Sequence, residues 1–428
     1  MSFPTDSVST GTLAGPGITP GCKRLQLIVP IGPVRRSLLA LALGGFAIGM
    51  SEFLMFGLLP QVAADLSVSI PRAGELISAY ALGVVVGAPL LTAATVHLDR
   101  KRVLVALMSW YAVSNLLSAL SPSFTFALIA RFATGLPHGA FFGVGSVVAG
   151  SLVHRSKSTA AMSVMFAGLT VANIVGVPIS TLLGQGTSWR LVYGLVAGIA
   201  ALGAVAVSIF VPAVAENTPS GSLRAELRAF ANGRIWLVLG IATLGGGGLF
   251  ATFSYITPMM TKQAGFADSS MTWLLMLFGV GMTAGNVLGA RLADRFPLRT
   301  IVFALSTEIV LALIFAVSTH NEFASAVLIF AFPATALAGL PALQARVIAL
   351  AGGAPNLAAA SIQGAFNVAN SIGAYLGGVV IDAGYGYAAP NVVAAALVAL
   401  GLVLVFALVR AERSAPRAAQ QELARLAA

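Results

Sequence analysis

Long apolar runs separated by short polar ones dominate the chain after residue 36. Twelve such runs can be drawn, over 37–60, 74–94, 103–120, 124–148, 158–183 and 191–211, then 235–258, 271–290, 300–319, 324–349, 358–381 and 391–409. Most approach or exceed the roughly 20 apolar residues a helix needs to cross a bilayer. The pattern therefore predicts an all-α membrane protein of twelve transmembrane helices. Glycine is frequent inside the runs, as expected where helices pack closely in lipid. The polar stretches set the expected limits: a disordered tail over 1–36, a six-helix bundle over 37–211, a linker over 212–234, a second bundle over 235–409, and a tail over 410–428. Within the linker, Ser222 is placed to cap a short surface helix.

The two bundles read as a duplication. Val171-Ala172-Asn173-Ile174-Val175-Gly176 recurs as Val368-Ala369-Asn370-Ser371-Ile372-Gly373, 197 positions later. The first and seventh runs and the basic loops after the second and eighth keep nearly the same spacing. Two such halves are the parallel-repeat arrangement of one large class of transporters.

Composition agrees with the pattern: 58% of residues are hydrophobic and 9% charged, with mean hydropathy +0.93. The net charge of +10 would raise nucleic acid as a partner in a soluble protein, but here the cations lie in loops. Of the 24 Lys and Arg residues, Arg72, Arg190 and Lys262 fall on one side and Arg131 inside a run. The others collect on the side of the N-terminus. By the positive-inside rule that side is cytoplasmic, so both termini are expected there, in a multi-pass protein of the cell (inner) membrane. The single cysteine, Cys22, permits no internal disulfide. The first 30 residues lack the continuous apolar core of a signal peptide.

No phosphate-binding loop, no H-E-x-x-H and no G-x-S-x-G is present. An ATP-driven pump, a membrane protease and other enzymes are thereby disfavoured, and no cofactor is called for. What stands out is charge inside the spans. Glu52 lies well within the first run and Arg131 within the fourth. Intramembrane charges are costly and mark functional sites. Counting residues from the same end of the two runs puts both on the order of 10 Å deep. They are thus expected to communicate as a proton-coupling pair, unless Arg131 snorkels to the interface. Glu308, in the ninth run, is either a second proton site or a hydroxyl-paired residue. His138 is a substrate or relay group, or a hydrogen-bonded core histidine. Asn173 and Asn370 either bind a ligand from both halves or hold helices together. His138, Asn173 and Asn370, with Met55, Phe56, Phe142, Phe253, Tyr255, Gln363 and Asn367, make up the expected substrate cavity.

Several stretches carry a family likeness: GMSEFLMFGLLPQVAADL (49–66), RFATGLPHGAFFGVGSVVAG (131–150), GLTVANIVGVPISTLLGQGTSWR (168–190) and GAFNVANSIGAYLGG (364–378). They resemble the major facilitator superfamily, in particular its twelve-helix drug:proton antiporters of the arabinose-efflux and chloramphenicol-resistance type. The resemblance implies the two-bundle fold, with Glu52 as the protonatable acid and Arg131 as its partner. Gly168, Gly176, Pro178 and Gly184 match the fifth-helix antiporter motif, which implies export. The family's loop motif is well kept around Asp294, Arg295 and Arg299. In the first half only Lys101 and Arg102 fit, with His97 where the acid belongs; Lys101, Arg102, Asp294, Arg295 and Arg299 are the expected cytoplasmic gate.

The expected function is proton-driven export of small apolar or amphipathic molecules by a monomer, as in multidrug resistance. Export of sugars or amino-acid-derived metabolites is the alternative within the class, and a non-transporting receptor or scaffold the alternative outside it. The expected partners are the bilayer, protons and a small-molecule substrate.

Overall fold

The structure, a computed structural model, describes residues 32–426 apart from 96, 155–156, 214–230 and 352–354; side chains are described outside 355–360 and 413–426 as well. Cys22, the Ser222 cap and most of the tail and linker limits drawn above lie outside these residues. The described chain is helical, with twelve helices long and apolar enough to cross a membrane. In the first half they are α1 (Pro33–Asp65), α2 (Ile70–Ala94), α3 (Arg100–Ala119), α4 (Phe124–Ser151), α5 (Ser158–Gly186) and α6 (Trp189–Phe210). In the second they are α7 (Gly233–Phe253), α8 (Asp268–Arg295), α9 (Pro297–Ser318), α10 (Glu322–Ala351), α11 (Ser361–Tyr385) and α12 (Ala389–Glu412).

Several helices begin a few residues before the apolar runs do, because polar caps sit outside them. Ser69, Asp99, Ser123, Ser188, Asn232 and Asn321 each accept a hydrogen bond from a backbone N–H of the first turn, meeting donors that the helix leaves unpaired. Proline accounts for two breaks. In α5 a π-turn over Ala172–Gly176 precedes Pro178, which has no N–H for the carbonyl four residues back. In the seventh run the helix is interrupted at Ser254 and Tyr255, just before Pro258. That run is therefore α7 followed by a short continuation, not one straight span.

The interior is polar in places and the outside is apolar. Leu202, Ile209, Phe303, Val403 and Phe406 are more than 60% exposed, whereas Ser51, Glu52, Asn115, Arg131, Thr134 and His138 are buried. Exposed apolar area on this scale needs a non-aqueous surround.

The duplication reappears in the packing. At Gly83 and Gly87 of α2, an added Cβ would run into the carbonyls of Phe132 and Leu136 in α4. Gly281 and Gly285 of α8, each 198 positions on, meet Phe330 and Ala334 of α10 in the same way. The same close helix pair is thus built twice.

The bonds and ring contacts that join the halves gather away from the basic loops, toward the end where α1 meets α2. Thr257 Oγ1 donates to the Phe56 carbonyl at 2.5 Å. Ser78 Oγ donates to the Ser371 carbonyl at 3.0 Å, and Ser371 Oγ returns the bond to Ser78 at 3.3 Å. Phe53 and Phe56 pack against Phe250 and Phe278 with ring centroids 5.9–6.4 Å apart. Gly279 of α8 lets the Asn173 backbone of α5 come close.

Candidate functional site

The site grows from five helices of the first half. On α3, Tyr111, Ser114, Asn115 and Ser118 are buried, a polar stripe with the 3–4 residue spacing of one helix face. Asn115 Nδ2 donates to the Tyr111 carbonyl one turn back, at 2.8 Å. That bond turns Asn115 Oδ1 toward α1, where Ser51 Oγ donates to it at 2.8 Å. Ser51 Oγ in turn accepts from Arg131 Nη1 of α4 at 3.0 Å. The Arg131 guanidinium lies over the Tyr80 ring of α2, 4.3 Å from its centroid, and 5.5 Å from that of Tyr193 in α6. Cation–π contact of this kind strengthens on desolvation, and Arg131 is 1% exposed. Its Nε and Nη2 have no hydrogen-bond partner among the described residues.

Tyr80 OH links the network onward. It lies 3.1 Å from Tyr111 OH and 2.9 Å from His138 Nδ1. Tyr111 OH also reaches the Ile48 carbonyl of α1, at 3.4 Å. His138 Nε2 has no partner, and its ring leads to Phe142 (5.4 Å) and then to Phe166, stacked at 4.9 Å.

Glu52, next to Ser51 in sequence, is buried at 2% exposure. It interacts electrostatically with Arg131, Tyr80 and Tyr111. No ion pair within 4 Å joins Glu52 to Arg131; among the described residues such pairs include Asp65–Arg190 at 2.9 Å and Arg346–Glu412. Glu52 and Arg131 thus belong to one buried cluster, in which Arg131 is bonded to the residue that precedes Glu52.

The glycines of α5 bring α1 into place. At Gly168 an added Cβ would strike the Ala42 carbonyl, at Gly176 the Met50 side chain, and at Gly184 Leu58. Gly45 and Gly49 of α1 face Met165 and Ala172 of α5. Close approach at five glycines seats the Glu52 turn against α5, and Pro178 sets the π-turn that presents Asn173.

Other residues singled out in the sequence fall elsewhere. Met55 and Phe56 are fully buried, Phe56 in the ring cluster between the halves. Phe253 packs on Phe278 and Phe332 of the second half. Tyr255 OH donates to the Ala374 carbonyl at 2.8 Å, and its ring fills the space beside Gly74 and Gly378. Phe56, Phe253 and Tyr255 belong to the packed seal in this conformation. Three amides differ: Asn173 Oδ1, Asn367 Oδ1 and both amide atoms of Asn370 are buried without hydrogen-bond partners. Asn367 Nδ2 donates to the Gln363 carbonyl at 3.0 Å.

Glu308 sits apart from the cluster, where α9 meets α7 and α12. Its Oε1 has no hydrogen-bond partner and faces Gly248, beside Val398 and Ala394. In the repeat it stands 197 positions after Tyr111, and the buried faces of α3 and α9 superpose at that offset. At the basic end, Lys101 and Arg102 open α3, and Asp99 accepts from the Arg102 N–H at 2.9 Å. Arg295 and Arg299 flank the Phe296 ring at 5.6 and 5.5 Å; Asp294 has no ion-pair partner among the described residues.

Ser51, Asn115, Tyr80, Tyr111 and Tyr193 belong to the site but are not among the residues that the sequence singles out. The spacing of polar residues in the third run was a usable signal for Tyr111 and Asn115. Ser51 and Tyr193 carried none.

Comparison with known proteins gives a consistent result. The Major Facilitator Superfamily profile matches residues 41–267 and again 239–427. The chain is 40% identical over 369 residues to the Inner membrane transport protein YdhP of Escherichia coli (strain K12), covering 86% of this chain and 95% of that one. It is 32% identical over 369 residues to a Chloramphenicol resistance protein of Streptomyces lividans, covering 86% and 94%. Among solved structures, a bacterial homologue of the human lysosomal transporter Spinster, in an inward-facing and unoccupied conformation, superposes with TM-score 0.72. It covers 89% of this chain and 98% of that one at 14% identity.

Proposed function

This chain belongs to the Major Facilitator Superfamily, a family of membrane transporters and not of enzymes, and from that premise we propose that it is a proton-coupled exporter of small apolar or amphipathic molecules such as drugs. The observation that carries the reading is the buried Glu52, set beside Arg131 and its hydroxyl network without a direct ion pair. A carboxyl so placed is poised to bind and release a proton, which is what coupling requires. The glycine-dependent seating of α5 on α1 supports export, since this is the stretch that resembles the antiporter motif. The name of the Streptomyces relative supports a drug-like substrate. The orphan amides Asn173, Asn367 and Asn370 and the His138–Phe142 edge are the candidate substrate contacts.

In the proposed cycle the basic loops and both termini face the cytoplasm, and the protein works as a monomer in the cell's inner membrane without a cofactor. The halves, held together at the far end, then form a conformation open to the cytoplasm. Substrate enters there as Glu52 releases its proton inward. Rocking of the halves exposes the site outward, where Glu52 is protonated as substrate leaves. Lys101, Arg102, Asp294, Arg295 and Arg299 would close the cytoplasmic side in that second state.

The test is a susceptibility screen over a broad compound panel, comparing cells that express the protein with cells that do not, repeated with Glu52→Gln. Expression is expected to lower accumulation of at least one compound, and either collapse of the proton gradient or Glu52→Gln to restore it. Unchanged gradient-driven export in Glu52→Gln would overturn proton coupling through this residue. Accumulation indifferent to both expression and gradient, for every compound, would overturn export.

A further inference from the structure

The hydrogen bonds that run from Asn115 through Ser51 to Arg131 have one consistent direction. An Asn amide nitrogen donates and its oxygen accepts; a guanidinium only donates. Because Asn115 Nδ2 is committed to the Tyr111 carbonyl at 2.8 Å, Oδ1 must face Ser51. Ser51 then spends its single proton on Oδ1 at 2.8 Å and offers only lone pairs to Arg131, whose Nη1 takes one at 3.0 Å. Asn115 therefore decides which way Ser51 points, and Ser51 decides where the guanidinium rests.

The resting place is informative. Arg131 and Glu52 are both buried and of opposite charge, and two nitrogens of the guanidinium remain unbonded. A direct, two-pronged Arg–carboxylate pair is the strongest hydrogen-bonded arrangement open to such groups. It is nevertheless not formed: the guanidinium is held on Ser51, one residue before Glu52, with its carbon 4.3 Å from the Tyr80 ring centroid.

We propose that Ser51 and Asn115 are positioning residues that hold Arg131 off Glu52, so that the Glu52 carboxyl keeps no direct ion pair and stays able to exchange its proton. The proposal rests on the proton-coupling reading of Glu52 given above. The titratable and charged groups about this carboxyl are Tyr80 on α2, Tyr111 on α3 and Arg131 on α4; His138 on α4 lies beyond Tyr80, and Tyr193 on α6 faces Arg131. None of the tyrosines or the histidine brings a fixed positive charge. Arg131 is the group whose position matters.

The test needs no knowledge of the substrate. Dicyclohexylcarbodiimide enters apolar sites and reacts with carboxyls in the protonated form. Labelling of Glu52 in the purified full-length protein is followed against pH, with peptide mapping to separate it from Glu308. In Ser51→Ala and Asn115→Ala, Arg131 is free to pair with Glu52, and the labelling midpoint should move about 1–3 pH units toward acid, the span a close opposite charge produces. Ser51→Thr, which keeps the hydroxyl, should stay near the parent. Adding Arg131→Gln to Ser51→Ala should bring the midpoint back, which a general loss of packing would not do. An unchanged midpoint in both alanine variants overturns the proposal, as does a shift that Arg131→Gln fails to reverse. Asn115→Ala reports even where Ser51→Ala does not fold. The underlying reading fails separately, in the Glu52→Gln export assay, whatever the labelling shows.

Discussion

The reciprocal bonds between Ser78 and Ser371 offer a direct measure of how firmly the two halves are held. They lie at 3.0 and 3.3 Å and join α2 to α11 near the closed end, so they exist only while that end is shut. A hydrogen bond between helices in a membrane contributes about 0.6 kcal/mol on average. Losing both removes about 1.2 kcal/mol from the closed state alone, and at about 1.4 kcal/mol per factor of ten the open-to-closed ratio should rise about sevenfold. Ser78→Ala and Ser371→Ala each remove one donor and should each account for roughly a two- to threefold rise. To read the ratio, Cys22 is replaced by Ala and spin labels are placed at Gly186→Cys and Ala383→Cys. These positions are exposed, belong to opposite halves and correspond in the repeat. Gly186 has no neighbour within 4 Å of an added Cβ. Double electron–electron resonance then gives the populations of short and long distances. A double variant with the parent's ratio, under conditions where both distances are populated, would refute the claim that these bonds hold the closed state.

Other expectations follow from the same packing. Gly168→Leu drives a side chain into the Ala42 carbonyl of α1; overpacking of this kind costs about 1–3 kcal/mol, so a clear fall in melting temperature is expected by intrinsic fluorescence, and an unchanged value would deny the close α1–α5 contact. Tyr255→Phe keeps the ring beside Gly74 and Gly378 but loses the bond to Ala374, a loss of about 0.5–1.5 kcal/mol that the same melting assay should register as a modest decrease. Glu308→Gln replaces a buried carboxyl that has no cation beside it among the described residues with a neutral group of the same shape. It should keep both the melting temperature and gradient-driven export, whereas loss of export with a normal melting temperature would make Glu308 a second coupling site.

Much of this architecture is legible in the sequence. Twelve spans and their order follow from hydropathy, because a bilayer leaves the backbone few options and marks each span with some 20 apolar residues, and the duplication follows from the recurrence of Val171–Gly176 at Val368–Gly373. The helix starts were less legible, since caps such as Ser69 and Asn321 lie in polar loops that hydropathy ignores. The break before Pro258 follows from the proline but was hidden inside a continuous apolar run. Glu52 and Arg131 stood out because a charge within a span is expensive.

Sequence alone determined that these two charges lie at similar depth in one half, since depth is a count of residues along a straight helix. It did not determine what separates them. Ser51 is an ordinary residue in an apolar run, and Asn115 sits on another helix 64 positions away. Only the tertiary structure brings them together, because hydrogen-bond direction depends on how α1, α3 and α4 are rotated against one another. Likewise Phe56, Phe253 and Tyr255 read as cavity aromatics in the sequence, yet the packing places them in the seal between or beside the halves. Which face of an apolar helix meets its neighbour is decided by close contacts such as Gly168 against Ala42 and Gly83 against Phe132, and hydropathy, nearly uniform around these helices, does not encode it.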